Sequence, residues 1–234
     1  MIKALLTIDD VSSKNTPAIA DYLREMNIPA IMFMVGRWAE NYPDQLIYAL
    51  KSGITVGNHS YSHPHFSELS FADCVREIEQ NEEVLDRFYV QAGIERKHRP
   101  FRFPYGDKGG KNKEQLQAYL SEKGFSKVKD THLSYPWWKE NGLDRDIDTL
   151  WTFDFAEYNI RPDSGFTLND VMHRIYDPNP PAGAPLLKDG NEHILLLHAH
   201  DETDEMLPGY YRIFLEELLK NGVEFTEPEY LPVF

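Results

Sequence analysis

Short apolar runs alternate with longer amphipathic stretches along this chain, which predicts repeated βα units around a parallel sheet. Ala4–Ile8, Ala30–Val35, Ile54–Gly57, Phe101–Phe103, Leu150–Phe155, Ile194–Leu197 and Val223–Phe225 read as strands. Thr16–Met26, with Pro17 in its first turn, and Asp44–Ser52 read as helices, as do Phe71–Gln91, Glu114–Lys123, Leu168–Ile175 and Tyr210–Leu219. In the longest of these, Val75, Ile78, Val84, Leu85 and Phe88 form an apolar stripe. A chain of 234 residues suffices for one α/β domain, taken here as 1–234. Asp177–Pro185 is rich in proline but reads as a rigid loop, because its flanking elements fit one sheet.

A net charge of −14 disfavours nucleic acid and anionic membranes as partners and suits a neutral substrate. Cys74 stands alone, which excludes an intramolecular disulfide, and its amphipathic surroundings predict a buried thiol. Met1–Leu6 runs directly into the first strand without the pattern of a signal peptide, so the chain as it stands is expected to be soluble and cytoplasmic. A chain trimmed of an export signal would read the same way. Oligomeric state has no signature.

The polar residues of interest fall at strand ends, where α/β enzymes place their active sites. Asp9-Asp10 follows the first strand, and His59 and His63 are four residues apart after the third. On a helical turn that spacing puts both imidazoles on one face, where they can share a metal. The zinc-protease motif of the same spacing has a Glu where Ser60 stands, so any carboxylate must come from elsewhere, and Asp9-Asp10 is the available pair. Surface histidines and a solvated Asp-Asp turn are the bland alternatives. Together the groups suggest a hydrolytic metal centre.

Four ordered motifs carry a resemblance. Thr7-Ile8-Asp9-Asp10, His59-Ser60-Tyr61-Ser62-His63-Pro64, Phe101-Arg102-Phe103-Pro104-Tyr105-Gly106 and Leu196-Leu197-His198 resemble the NodB-homology polysaccharide deacetylases, carbohydrate esterase family 4. The resemblance implies an irregular (β/α) barrel and a metal-dependent hydrolase that releases acetate from an acetylated carbohydrate, most often from an N-acetyl group. It implies a divalent ion on Asp10, His59 and His63, with zinc favoured by that ligand set and cobalt, nickel or manganese as alternatives. By the same resemblance Asp9 is the general base, Arg102 holds it ionised, and the Tyr105 amide completes an oxyanion hole. His198 is the general acid, and Leu196 lines the acetyl-methyl pocket.

The match has departures. Val11-Ser12 replaces the family's Gly-Pro, Phe103 stands where a proline is usual, and Ala199 follows His198. The fourth motif, Asp-x-x-Asp-Trp, aligns best with Glu157-Tyr158, which makes Glu157 the carboxylate behind His198 and Tyr158 a wall of the sugar groove; Asp154 competes with Glu157. His65, His193 and His200 have no family role and read as loop or rim residues, with His200 the rival to His198 as acid. The segment from Asp107 to Leu150 is long, and its Trp137-Trp138 pair suits either sugar stacking or packing. A cyclic imide or ureide amidohydrolase of the same superfamily and a catalytically silent carbohydrate-binding protein are the other functional readings.

Overall fold

The computed structural model describes residues 1–231. Its centre is strand β1 (Ile2–Val11), which is longer than the apolar run suggests and contains Asp9 and Asp10 rather than ending before them. Parallel neighbours flank it on both sides, β2 (Ala30–Met34) and β5 (Glu192–His198). β3 (Thr55–Asn58) lies outside β2 and β4 (Phe153–Asp154) outside β5, giving the order β3-β2-β1-β5-β4, while β6 (Val223–Phe225) pairs with the start of β1.

Two sequence-predicted strands are much shorter than expected. Phe101–Phe103 contributes a single parallel bridge, Phe101 to Asn58, because Pro104 has no N–H for a ladder and opens a 3-10 turn over Pro104–Gly106. Leu150–Phe155 contracts to β4 and closes the circle instead. Thr149 N donates to Phe101 O on one side (2.8 Å), and Thr152 N donates to Ile194 O on the other (2.8 Å). The result is the irregular (β/α) barrel. Gly57 is needed at the seam, since a Cβ there would lie 2.6 Å from Pro100 O.

Helices α1 (Thr16–Met26), α3 (Pro43–Lys51), α4 (Phe71–Ala92), α5 (Lys113–Glu122), α7 (Leu168–Tyr176) and α9 (Tyr210–Lys220) match the predicted ones closely. Three short helices, α2 (Gly36–Asn41), α6 (Pro136–Glu140) and α8 (Asp201–Met206), have too few turns to leave a periodic signal. No helix among the described residues is long and apolar enough to cross a membrane.

Strand alternation sorts the side chains. Ala4, Leu6 and Ile8 of β1, Met32 and Met34 of β2, and Leu195 and Leu197 of β5 join the helices in the main apolar core. The alternate residues Leu5, Ile31 and Phe33 belong to a separate interior cluster. On that interior face Thr7 is register partner to Leu196, and Asp9 to His198. The face is therefore apolar near the strand starts and chemical at their carboxyl ends.

The long segment after Pro104 packs over the barrel. Trp138 is buried beside Leu133 and Ile194 and donates its indole N–H to Asp130 (3.0 Å), so this half of the tryptophan pair packs. Trp137 packs against the same cluster, stacked on Tyr135 at 5.6 Å, and also borders a cavity of about 340 Å³ with Trp151, Arg174 and Gly183. Lys108 anchors the segment through Asp146 and Asp148, each at 2.8 Å.

Candidate active site

Adjacent strand residues normally face opposite ways, yet Asp9 and Asp10 both line one cavity of about 400 Å³. A bulge between Ile8 and Val11 makes this possible, with Asp10 held at φ 65°. Both carboxylates are nearly buried, Asp9 2% and Asp10 5% exposed.

His59 and His63 are not on a helical turn. They occupy the loop after β3, where Ser60 and His63 take left-handed backbone (φ 66° and 61°), and their rings still meet with centroids 5.0 Å apart. The loop is pinned by Asn58, whose Oδ1 accepts from Ser60 N (2.8 Å) and from Asn81 Nδ2 (2.7 Å), and whose Nδ2 donates to Ile78 O and Glu82 Oε1. Arg96 and Arg99 pair with Glu82 and keep its carboxyl below the usual range despite burial. His59 Nδ1 lies 2.8 Å from Arg102 O. A carbonyl can only accept, so Nδ1 donates to it and Nε2 is the ring atom left to face the cavity.

That nitrogen faces acids. His59 Nε2 is 3.3 Å from Asp9 Oδ2 and 3.7 Å from Asp10 Oδ1, and His63 Nε2 is 3.4 Å from Asp10 Oδ1. Burial, with His59 beside it, holds His63 down at about 4, so its ring is neutral at pH 7. Asp10 Oδ1 is buried with no hydrogen-bond partner. A buried orphan oxygen flanked by two imidazoles suits a divalent cation, and Asp10, His59 and His63 bring ligand atoms within 4.8 Å of one another. Trp38 on the unforeseen helix α2 stacks on His63 at 5.5 Å.

Asp9 Oδ1 accepts from Arg102 NH1 at 2.7 Å. The guanidinium is fully buried over the Phe33 ring, with Nε on Thr149 O and NH1 also on Thr7. Asp9 thus carries a neutralising cation and Asp10 does not, which separates the two acids.

Across the cavity, Glu157 is fully buried, and its Oε1 accepts from the backbone N–H of His198 (2.6 Å) and meets His198 Nδ1 (3.1 Å). Burial alone would lower His198, but the Glu157 carboxylate, with Asp10 and Asp9 further off, pushes it up to about 9. Asp154 shares the cavity without bonding His198; its Oδ1 accepts from Ala156 N (2.7 Å), and burial with Glu157 nearby pushes it up to about 6. Of the two rivals for the fourth motif, Glu157 is the one whose carboxylate touches His198. Leu196 lines the cavity, Tyr158 lies edge-on to His198 at 4.9 Å, and Tyr105 borders the mouth at φ 58°.

Two of the histidines read as rim residues need correction. His193 is fully buried on β5, its Nδ1 3.1 Å from Thr152 Oγ1, and burial holds it neutral. His200 is no solvated loop residue; its Nε2 lies 2.6 Å from Asp10 Oδ2. The spacing of His198 and His200 is the signal that would have found it, since residues two apart on an extended chain share a face. His65 is at the rim, stacked on Tyr105 at 3.9 Å.

The family model described as polysaccharide deacetylase matches residues 2–127, more than half of the chain. The chain belongs to the polysaccharide deacetylase family. A peptidoglycan-N-acetylglucosamine deacetylase of Bacillus cereus is 35% identical over 103 residues, 44% of this chain and 36% of the relative. This family member thus spans well under half the length of that relative. The crystal structure of a peptidoglycan N-acetylglucosamine deacetylase superposes with a TM-score of 0.66 at 20% identity, over 96% of this chain and 85% of that one. A mutant of a pseudoenzyme of the same esterase family also superposes, with a TM-score of 0.57 at 21% identity over 95% of this chain and 64% of that one. Fold alone does not separate active from silent members, so the side chains must.

Proposed function

We propose that this chain is a metal-dependent carbohydrate deacetylase, releasing acetate most readily from an N-acetylated sugar. The observation that carries the proposal is the single cavity shared by the Asp10–His59–His63 donor set, the Arg102-paired Asp9 and the Glu157-supported His198. A protein that only bound sugar would have no use for a buried guanidinium on one acid and a buried carboxylate behind a histidine. The two carboxylates and His198 supply what amide hydrolysis needs, a proton acceptor for the attacking water and a proton donor for the departing nitrogen.

Asp10, His59 and His63 would hold the ion, and zinc suits one carboxylate and two imidazoles. When bound, such an ion polarises the acyl oxygen and acidifies water. Asp9 takes the proton of the attacking water through Oδ2, since Oδ1 is committed to Arg102. His198, held charged at neutral pH by the Glu157 carboxylate, donates to the leaving amine. Leu196 and Trp151 bound the space left for a methyl group, and Tyr105, Tyr158 and Trp38 offer faces for a sugar.

An acetate-release panel tests this, using zinc-loaded protein with N-acetylated and O-acetylated oligosaccharides and a cyclic ureide. Acetate from the sugars supports the reading. Turnover of the ureide alone favours the amidohydrolase alternative, and sugar binding without turnover favours the silent one.

A further inference from the structure

His200 and Arg161 form a hydrogen-bond relay behind Asp10. Arg161 NH2 is 2.9 Å from His200 Nδ1, and His200 Nε2 is 2.6 Å from Asp10 Oδ2. A guanidinium has no acceptor atom, so Nδ1 must be the acceptor of that first bond. The imidazole proton then resides on Nε2 and is donated to Oδ2. Arg161 is itself fixed, with NH1 donating to Thr203 Oγ1 (2.6 Å) and to Ile160 O (3.2 Å). The backbone of His200 is tied as well: Asn15 Nδ2 donates to its carbonyl, and the amides of Lys14 and Asn15 bind the neighbouring Asp201 carboxylate at 3.1 Å.

The consequence falls on Asp10. With Oδ2 taken by His200, the remaining oxygen is Oδ1, the buried atom without a partner, and it is Oδ1 that lies 3.4 Å from His63 Nε2 and 3.7 Å from His59 Nε2. We propose that His200, set in one tautomer by Arg161, is a positioning residue that commits Asp10 to bind the metal through Oδ1 alone. The proposal rests on the reading of Asp10, His59 and His63 as ligands. It makes His200 neither an acid nor a ligand, and it gives Arg161 a function although Arg161 faces no metal-binding atom.

The test is zinc affinity, measured by competition with a chromophoric chelator at neutral pH on the folded, metal-stripped full chain. Partners that orient a ligand typically contribute 10–100-fold in metal affinity. His200→Ala is expected to weaken zinc binding by about that factor, and Arg161→Met by a smaller one, since the ring remains but its tautomer is free. His200→Gln places an amide N–H near the Nε2 position and is expected to restore most of the affinity. Loading with cobalt reads the coordination directly: freeing Oδ2 in His200→Ala should change the visible absorption, and His200→Gln should keep the wild-type spectrum. Wild-type affinity in both His200→Ala and Arg161→Met overturns the relay while leaving the metal centre standing. A Gln variant as weak as the Ala variant overturns the donor role. Failure of the wild-type chain to bind zinc removes the ligand set itself, and the relay with it.

Discussion

The metal-side wall of the cavity, from Asp9 to His63, and the acid-side wall, from Asp154 to His200, are held in place by different physics. On the metal side the histidine loop is held by hydrogen bonds, and Asp9 by its ion pair with Arg102. Asn58 is clamped by α4 through Ile78 O, Glu82 and Asn81, and His59 Nδ1 is fixed by a backbone carbonyl. On the acid side Asp154 and Glu157 sit on short elements, a two-residue strand and a 3-10 turn over Glu157–Asn159, and charge organises them around His198 at the end of β5. Glu157 is fully buried with Oε2 unpartnered, Asp154 is pushed up to about 6, and His198 up to about 9. Substitutions on the first wall should therefore register as lost geometry, and those on the second as altered pH dependence.

The largest effects should come from the two residues proposed to transfer protons, one on each wall. Asp9→Asn keeps the size of the side chain and removes the proposed base, and a roughly 10²–10⁴-fold loss of kcat is expected with metal content retained. His198→Ala should lose activity over the same range. Elemental analysis beside acetate-release kinetics checks both. Loss of metal in Asp9→Asn, with metal kept in Asp10→Asn, would mean that the two acids exchange roles.

Glu157→Gln sharpens the contrast. Burial disfavours the imidazolium, and Glu157 is the main group opposing that cost. Without its charge the histidine pKa falls, the protonated acid is lost at lower pH, and the alkaline limb of the pH–rate profile moves to the acid side. An unmoved limb would pass the supporting role to Asp154.

Asn58→Ala probes the other wall. It removes two donations to α4 and the acceptor for Ser60 N, so a loss of roughly 1–3 kcal/mol of stability is expected, along with weaker zinc binding. The pH profile of the remaining activity should keep its shape. A shifted profile without destabilisation would break the distinction between the walls.

The same contrast governs how much was legible in the sequence. Parallel βα units and the ordered motifs were readable because β1, β2 and β5 are buried on both faces and leave continuous apolar runs. The histidine pair was readable as a pair, although its loop geometry was not, because a loop with left-handed residues at Ser60 and His63 has no periodic signature. The bulge that turns Asp9 and Asp10 toward one cavity, and the bond from His200 to Asp10 across 190 positions, depend on tertiary contacts. Glu157 and Asp154 could not be separated by spacing alone, since what distinguishes them is which oxygen reaches His198. Helix α2, with Trp38 against His63, was too short to see.

Asp154 gives the smallest and most discriminating effect. Its folded pKa of about 6 is above the ordinary 3.8, with burial as the first cause and Glu157 as the second. The folded state therefore holds the Asp154 proton more tightly than the unfolded chain does. The stability this confers is fully present below about 3.8 and is lost as pH rises through about 6. At pH 7.5 the native protein carries the cost of a confined carboxylate beside a second one, and Asp154→Asn removes it while an amide oxygen can still accept from Ala156 N. Metal-free Asp154→Asn should melt a few degrees above wild type at pH 7.5, since about 1 kcal/mol moves Tm by roughly 2–4 °C in a chain of this size. The difference should shrink as pH falls below 5, where the wild-type carboxyl is protonated too. Equal Tm differences at both pH values would show that Asp154 titrates as an ordinary carboxylate, and the pH dependence of the acid-side wall would then rest on His198 alone.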